Sequence, residues 1–279
     1  MSTPAARTRI RGRPVRVTPL GLLLALTFAT GVVDAVGYLR LDQVFAGNMT
    51  GNVVILAMAV AGGTHLPVLA PAAALVAFLV GAATAGRVLR TAPSGWGRRC
   101  TVLLAGIALL LSATALALPM AGTGVPGARA LMASALALAM GMQAATARHL
   151  AVKDVTTVVV TSTLTALAAD SRWGAGRRHG AGRRTAAVAL LIAGAITGAV
   201  LTRVHDGLAV AAAALVALAV CGLGHTCVPA AGSAAPVARP PGTPPTSAVP
   251  PEPPTADAGV GAPRTTGSPP SPHPWKGPS

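Results

Sequence analysis

Eight apolar stretches, separated by short breaks rich in arginine, glycine or proline, divide this chain at about 20–39, 49–61, 67–89, 101–120, 128–147, 155–169, 185–201 and 207–223. Six are long enough to cross the roughly 30 Å hydrocarbon core of a bilayer as helices, which takes roughly 17–25 residues. The second and sixth are not. At 1.5 Å per residue, 49–61 would cover only about 20 Å. The stretch 155–169 opens on the β-branched run Val155, Thr156, Thr157, Val158, Val159, Val160, Thr161, which favours extended backbone. In lipid every backbone polar group must be satisfied internally, so such segmentation predicts an all-α integral membrane protein.

Charge placement turns lengths into topology. The 279 residues carry Lys+Arg 22 against Asp+Glu 7, a formal +15, yet only 10% of the chain is charged, whereas a soluble domain carries about 25%. If all eight stretches crossed from an inside N-terminus, Arg87, Arg90, Arg98 and Arg99 would lie outside, against the positive-inside rule. If the second and sixth stretches dip in and return, the N-terminus, the 87–99 loop, the 172–184 loop and the C-terminal tail all become cytoplasmic. The sequence therefore predicts six membrane-crossing helices plus two short re-entrant or broken segments. The basic N-terminus, 1–17, with Arg7, Arg9, Arg11, Arg13 and Arg16, precedes an uncleaved first span. A membrane domain follows at 18–225, with halves at about 18–121 and 126–225. Residues 226–279, rich in Pro, Gly, Ser and Ala, are expected to form a disordered cytoplasmic tail. Trp96 and Trp173 are read as interfacial anchors of the basic loops.

Composition also excludes classes of function. Aromatics make up 3% of the chain, and the basic residues do not alternate with them, so no nucleic-acid surface is expected. Cys100, Cys221 and Cys227 show no paired ligand spacing, and His65, His149, His179 and His205 fall at segment ends. No metal, cofactor or disulfide framework is expected. No nucleophile and base pair suggests an enzyme.

Within the apolar stretches one acid stands out. Asp34 interrupts the first span, and Gly47, Asn48, Met49, Thr50, Gly51 and Asn52 follow. An ionisable group at membrane depth costs roughly 2.5–3.5 kcal/mol on insertion scales and marks a functional position by default. At an offset of about 110 residues the first span and its polar turn reappear: Val44 aligns with Val155, Thr50 with Thr161 and Val53 with Leu164. Identity between the copies is weak, but in the six-crossing topology they run in opposite directions, which makes an inverted repeat. Each copy ends in a polar turn leading to a short helix. Asn48 and Thr50 suit the cap of the first, and Thr161, Ser162 and Thr163 that of the second. Helix starts carry unpaired N–H groups and a positive dipole, so two facing starts would suit an anion or a carbonyl-rich solute. Asp34 would take a coupling proton or cation, and Gln143 would offer a neutral amide. The candidate solute or ion site is thus Asp34, Asn48, Thr50, Asn52, Gln143, Thr161 and Thr163, with Gly47 and Gly51 shaping the first turn. The alternative is that these groups only satisfy backbone broken inside the membrane.

The run Gly31-Val-Val-Asp34-Ala-Val-Gly37-Tyr38, followed by Val44-Phe45-Ala-Gly-Asn48-Met49-Thr50-Gly51-Asn52, resembles the first signature of the YoaK-like family (DUF1275), bacterial inner-membrane proteins grouped as a domain of unknown function. Gly141-Met142-Gln143-Ala144, with Thr157 and Thr161-Ser162-Thr163-Leu164-Thr165, is similar to the second signature, with Ala144 in place of an expected Asn and Ser162 in place of Gly. The resemblance covers about 19–223. It implies a multi-pass protein of the bacterial plasma membrane without an established substrate. Together the residues predict a transporter of a small polar or anionic solute, with a proton as one coupling ion. The rival readings are a membrane scaffold or regulator acting through its tail and, third, a membrane enzyme. Partners implied are the bilayer and a small-molecule solute.

Overall fold

The computed structural model describes residues 18–62, 67–119, 127–150, 160–170 and 181–227. These hold eight helices: α1 (Pro19–Arg40), α2 (Met49–Val60), α3 (Leu69–Leu89), α4 (Arg98–Ala117), α5 (Ala128–Leu150), α6 (Val160–Ala169), α7 (Ala181–Val204) and α8 (Asp206–Cys227). No strand occurs among the described residues. Six helices, all but α2 and α6, are long and apolar enough to cross a membrane. Val160 and Thr161, expected to be extended with the run that begins at Val155, open α6 as helix instead, and α8 continues through Thr226 and Cys227, the first residues of the expected tail. The rest of that run, 155–159, the rest of the tail, 228–279, and Trp173 lie outside the described residues.

Local chemistry sets the starts and stops. Thr18 accepts a hydrogen bond from Gly21 N at 3.2 Å through its side chain, and Pro19 occupies the first helical position, where its missing N–H costs nothing. After Arg40 the chain reverses through Asp42 and Gln43, whose φ angles of 54° and 58° are left-handed. Asp and other short polar residues tolerate that region better than apolar ones. Hydroxyls inside the spans close on their own helices: Thr27, Thr30, Thr114 and Thr146 each donate to the carbonyl four residues back. This satisfies a polar group in lipid without a partner helix.

Helix packing repeats itself. α1 packs on α7 and α3 on α5; α1 on α8 and α4 on α5; α2 on α3 and α6 on α7; α7 on α8 and α3 on α4; α4 with α8 and α1 with α5 complete the set. Exchanging α1–α4 with α5–α8 maps every one of these pairings onto another or onto itself. The closest approaches obey the same exchange. A Cβ on Gly31 would meet Leu191 O, and one on Gly194 would meet Phe28 O; in the other pair, Gly141 faces Phe78 O and Gly81 faces Leu138 O. Without a hydrophobic force between helices in lipid, such small-residue contacts let backbones approach and gain dispersion energy.

Helix directions establish the inversion. Asp42 contacts Arg129 at 3.3 Å, while deeper in the bundle Thr30 and Leu26 bond Gln143, so α1 and α5 are antiparallel. α4 and α8 are antiparallel as well: Ala115 O lies at Gly207 and Trp96 at Gly224, with Thr101 O accepting from Cys221 between them. α1 and α7 are parallel, because Gly194 meets Phe28, Gly198 meets Val32 and Thr202 O accepts from Arg40. At the far end Arg99 donates to Val88 O and the His149 ring lies 3.1 Å from Pro93 O, which puts the C-terminal ends of α3 and α5 together. The chain between α1 and α3 therefore leaves and rejoins the bundle at one end, and that between α5 and α7 at the other. Neither α2 nor α6 crosses. Eight successive crossings would instead make both α1 with α5 and α4 with α8 parallel.

The core is a seam of Leu23, Leu26, Val32, Val33, Val36, Leu104, Ile107, Leu111 and Leu136 with the alanines Ala209, Ala213 and Ala217, all fully buried. α1 is its most enclosed helix. Trp96 departs from the interfacial role expected of it. Its ring is 5% exposed, sits against Gly224 of α8 and donates from Nε1 to Thr101 Oγ1 at 3.3 Å. The indole thus locks the α3–α4 connection onto α8.

Candidate functional site

The first polar turn folds back against the helix it follows. Asp34 lies six residues before the end of α1, about 9 Å along the axis, and Gly47 N donates to its Oδ1 at 2.6 Å. The amides of Ala46 and Asn48 lie alongside the same carboxylate. The acid is thus held by the backbone of the turn that precedes α2. A Cβ on Gly47 would stand 2.8 Å from Thr30 Cγ2 and 3.5 Å from Asp34 Oδ1, so the turn reaches α1 only because the position is glycine. Gly51 is covered by the Phe45 ring, with Cδ2 2.8 Å from where its Cβ would be. Phe45 in turn stacks on Tyr38, with centroids 5.0 Å apart.

Asn52 closes the turn. Its Oδ1 accepts from Phe45 N at 2.8 Å and its Nδ2 donates to Phe45 O at 2.6 Å, so the side-chain amide pairs with both backbone groups of one residue as a second strand would. It is the one buried residue of α2. Asn48 stands at the N-cap position as expected, but its side chain makes no cap bond. Both it and Thr50 are exposed. No side-chain cap bond is made at the start of α2; the Asp34 carboxylate holds the turn ahead of the helix, at Gly47 N, rather than the first amides of the helix itself.

Gln143 belongs to a neighbouring seam. It is 1% exposed and joins α5 to α1, donating from Nε2 to Leu26 O at 3.3 Å and to Thr30 Oγ1 at 2.9 Å. Thr30 is shared: its hydroxyl meets Gln143 and its methyl meets Gly47. Asp34 and Gly47 thus adjoin Thr30, and Thr30 joins α1 to Gln143 of α5, so the four lie in one region of the fold. Thr30 was absent from the sequence-predicted set. Its position four residues before Asp34, on the same helix face, is the signal that marks it.

Thr161 and Thr163 lie on α6, and the Thr161 side chain lies outside the described residues. α6 packs on α7 and α2 on α3, with no contact between the two short helices among the described residues. The structure brings Asp34, Gly47, Asn52 and Gln143 to one region of the fold. It does not bring Thr163 there. No group of three metal-ligating side chains occurs among the described residues. Apart from this cluster, a cavity of about 330 Å³ opens where α1 stops, lined by Arg40, Pro119, Thr202, Arg203, Val204, His205 and Asp206, with Arg40 and Asp206 paired at 2.8 Å.

Residues 22–223 match the family described as Protein of unknown function (DUF1275), a stretch that contains every element of the cluster. The chain belongs to this family. It is also 32% identical over 150 residues to the UPF0700 transmembrane protein YoaK of Bacillus subtilis (strain 168), a match covering 53% of this chain and 65% of the relative. The chain thus spans just under two thirds of that relative's length. No solved structure matches. As a member of this family the chain is a transmembrane protein, with the signature residues Asp34, Gly47 and Asn52 gathered around the turn that opens α2.

Proposed function

We propose that this protein is a secondary transporter of a small polar solute, with Asp34 as the group through which a proton or cation couples. The observation that supports this most is the inverted two-fold arrangement, in which each half contributes one short helix that enters and returns at its own end. Inverted repeats with discontinuous helices are the architecture of many secondary transporters, which rock one part against the other around a site near the midplane. The polar cluster sits at that depth: Thr30 is about 15 Å from the end of α1, itself about 33 Å long.

Coupling would act through the Asp34 carboxylate. Ionised, it holds the amides of the turn before α2. Neutralised by a proton or a cation, it holds them less, because charge-assisted hydrogen bonds are roughly twice as strong as neutral ones. Loading Asp34 would thereby loosen the turn at one end of the bundle. Charge favours an orientation too. Arg87, Arg90, Arg98, Arg99, Arg148, Arg183 and Arg184 gather at the end where α3 and α5 stop, while Arg40, Arg129 and Arg203 at the opposite end are offset by Asp42 and Asp206. By the positive-inside rule this asymmetry supports a cytoplasmic first end, and with it the reading of a bacterial plasma-membrane protein in that orientation.

Asp34→Asn in proteoliposomes tests the reading. The amide keeps an acceptor for Gly47 N while removing the charge. The variant should fold yet fail to accumulate solute against a gradient. Unchanged accumulation at unchanged melting temperature would defeat the coupling role. A scaffold acting through its tail is the second reading, separated by truncation from Ala230: a transporter keeps its uptake, whereas a tail-dependent scaffold loses its activity.

A further inference from the structure

Hydrogen-bonding capacity in the α1–α5 seam is unbalanced. Gln143 uses both N–H groups of its amide, on Leu26 O and Thr30 Oγ1. The orientation of that amide is fixed, because Leu26 O can only accept and so must face nitrogen. Its Oε1 is then left as the one buried side-chain nitrogen or oxygen without a partner among the described residues. Asn52, by contrast, employs both ends of its amide. An unpaired acceptor between two membrane-embedded helices is costly and calls for a donor.

Charge narrows what the donor is. Asp34 lies one helical turn from Thr30, about 6 Å along α1, and Gly47 touches both. The carboxylate is hydrogen-bonded by backbone but paired with no cation: the ion pairs of the described residues join Arg40 to Asp206, Arg129 to Asp42 and Arg184 to Asp170. The seam therefore presents an unused acceptor on α5 and, one turn along α1 from its Thr30 partner, a carboxylate with no cationic partner among the described residues. An anion is repelled there. A water molecule would satisfy Oε1 and leave the charge.

We propose that the seam formed by Gln143, Thr30 and Asp34 binds a small hydrogen-bond-donating cation, of the ammonium or primary-ammonium class, as the solute of the transporter. This rests on the transport reading above and assigns the solute that reading left open. One N–H of the cation serves Gln143 Oε1, and its charge lies toward Asp34. Methyl-capped ammonium ions lack the donor and are excluded.

The experiment follows the melting temperature of the purified full-length protein in detergent, titrated with methylammonium chloride, choline chloride, sodium chloride or sodium acetate at constant ionic strength. Methylammonium should raise it saturably, whereas choline, sodium and acetate should not. Gln143→Met keeps side-chain length, and Asp34→Asn removes the charge; each should weaken the methylammonium response at least tenfold in concentration. If Gln143→Met does not fold, Thr30→Val, near in shape, replaces it: without Oγ1 the Gln143 amide gains a free N–H, and the response should weaken likewise. Four results would overturn the assignment: no saturable response to methylammonium, an equal response to choline, a sodium or acetate response abolished by Gln143→Met, or a methylammonium response untouched by the variants. Binding as expected without gradient-driven uptake in proteoliposomes would leave the site standing and remove the transport reading instead.

Discussion

Gly31 of α1 and Gly194 of α7 stand at the same level of the bundle, and each turns its missing side chain toward the backbone of the other helix, Gly31 toward Leu191 O and Gly194 toward Phe28 O. Gly141 and Gly81 hold α5 and α3 together in the same way. These two crossings carry the parallel pairs of the inverted repeat, so the symmetry rests on four positions where any Cβ would collide with main chain.

Gly31→Val and Gly141→Val are expected to destabilise the protein by about 1–3 kcal/mol or more, the usual cost of overpacking. Gly86 has open space around it and sits inside α3, so Gly86→Ala should be neutral or stabilising by up to about 1 kcal/mol. Reversible unfolding in mixed detergent measures all three, and equal tolerance at Gly31 and Gly86 would contradict the close crossing.

Single cysteines on a background lacking Cys100, Cys221 and Cys227 report the topology. Arg90→Cys and Thr226→Cys should be shielded from an impermeant thiol reagent in intact cells, and Gln43→Cys should be labelled. Labelling of Arg90→Cys from outside would reverse the orientation, and labelling of Arg90→Cys and Gln43→Cys from the same side would break the six-crossing arrangement.

Asn52 and Asn48 are four residues apart and should behave differently. Asn52→Ala strands Phe45 N and Phe45 O, and leaving a buried polar group unpaired costs about 1–3 kcal/mol. Asn48→Ala removes an exposed side chain with no cap bond, and surface changes of that kind stay within about 0.5 kcal/mol. Thermal unfolding of the two variants side by side reads the contrast; similar losses would mean that Asn48 caps α2 after all.

The Arg40–Asp206 pair, at 2.8 Å but with side chains 43% and 36% exposed, should contribute little. A double-mutant cycle with Arg40→Ala and Asp206→Ala is expected to give a coupling of about 0.2–1 kcal/mol that shrinks with added salt. A larger, salt-insensitive coupling would show that the pair is shielded by something that covers the adjoining cavity.

How far the site was legible differs from residue to residue. Asp34 was visible because an acid in an apolar run has few explanations, and Gly47 and Gly51 because glycine beside polar residues marks a turn in close contact. Asn48 stands at the N-cap as its residue type suggested but makes no cap bond, and Thr50 lies inside α2, since cap preference is local and does not fix what a side chain finally bonds. Thr30 escaped notice because threonine is common in spans, and most such hydroxyls, like those of Thr27 and Thr146, only close on their own helix.

Sequence alone determined the number and length of the helices and which two fall short of crossing, because membrane thickness converts a count of apolar residues into a span. Tertiary structure decided which helices are neighbours and what the polar groups do. Lipid is as apolar as the helix surfaces, so hydrophobicity says nothing about partners; glycine positions, read through the backbone they face, settle that. The pairing of Asp34 with Gly47, and the unused oxygen of Gln143, depend on distances between groups 13 residues apart and on two antiparallel helices, and only the packed molecule fixes such distances.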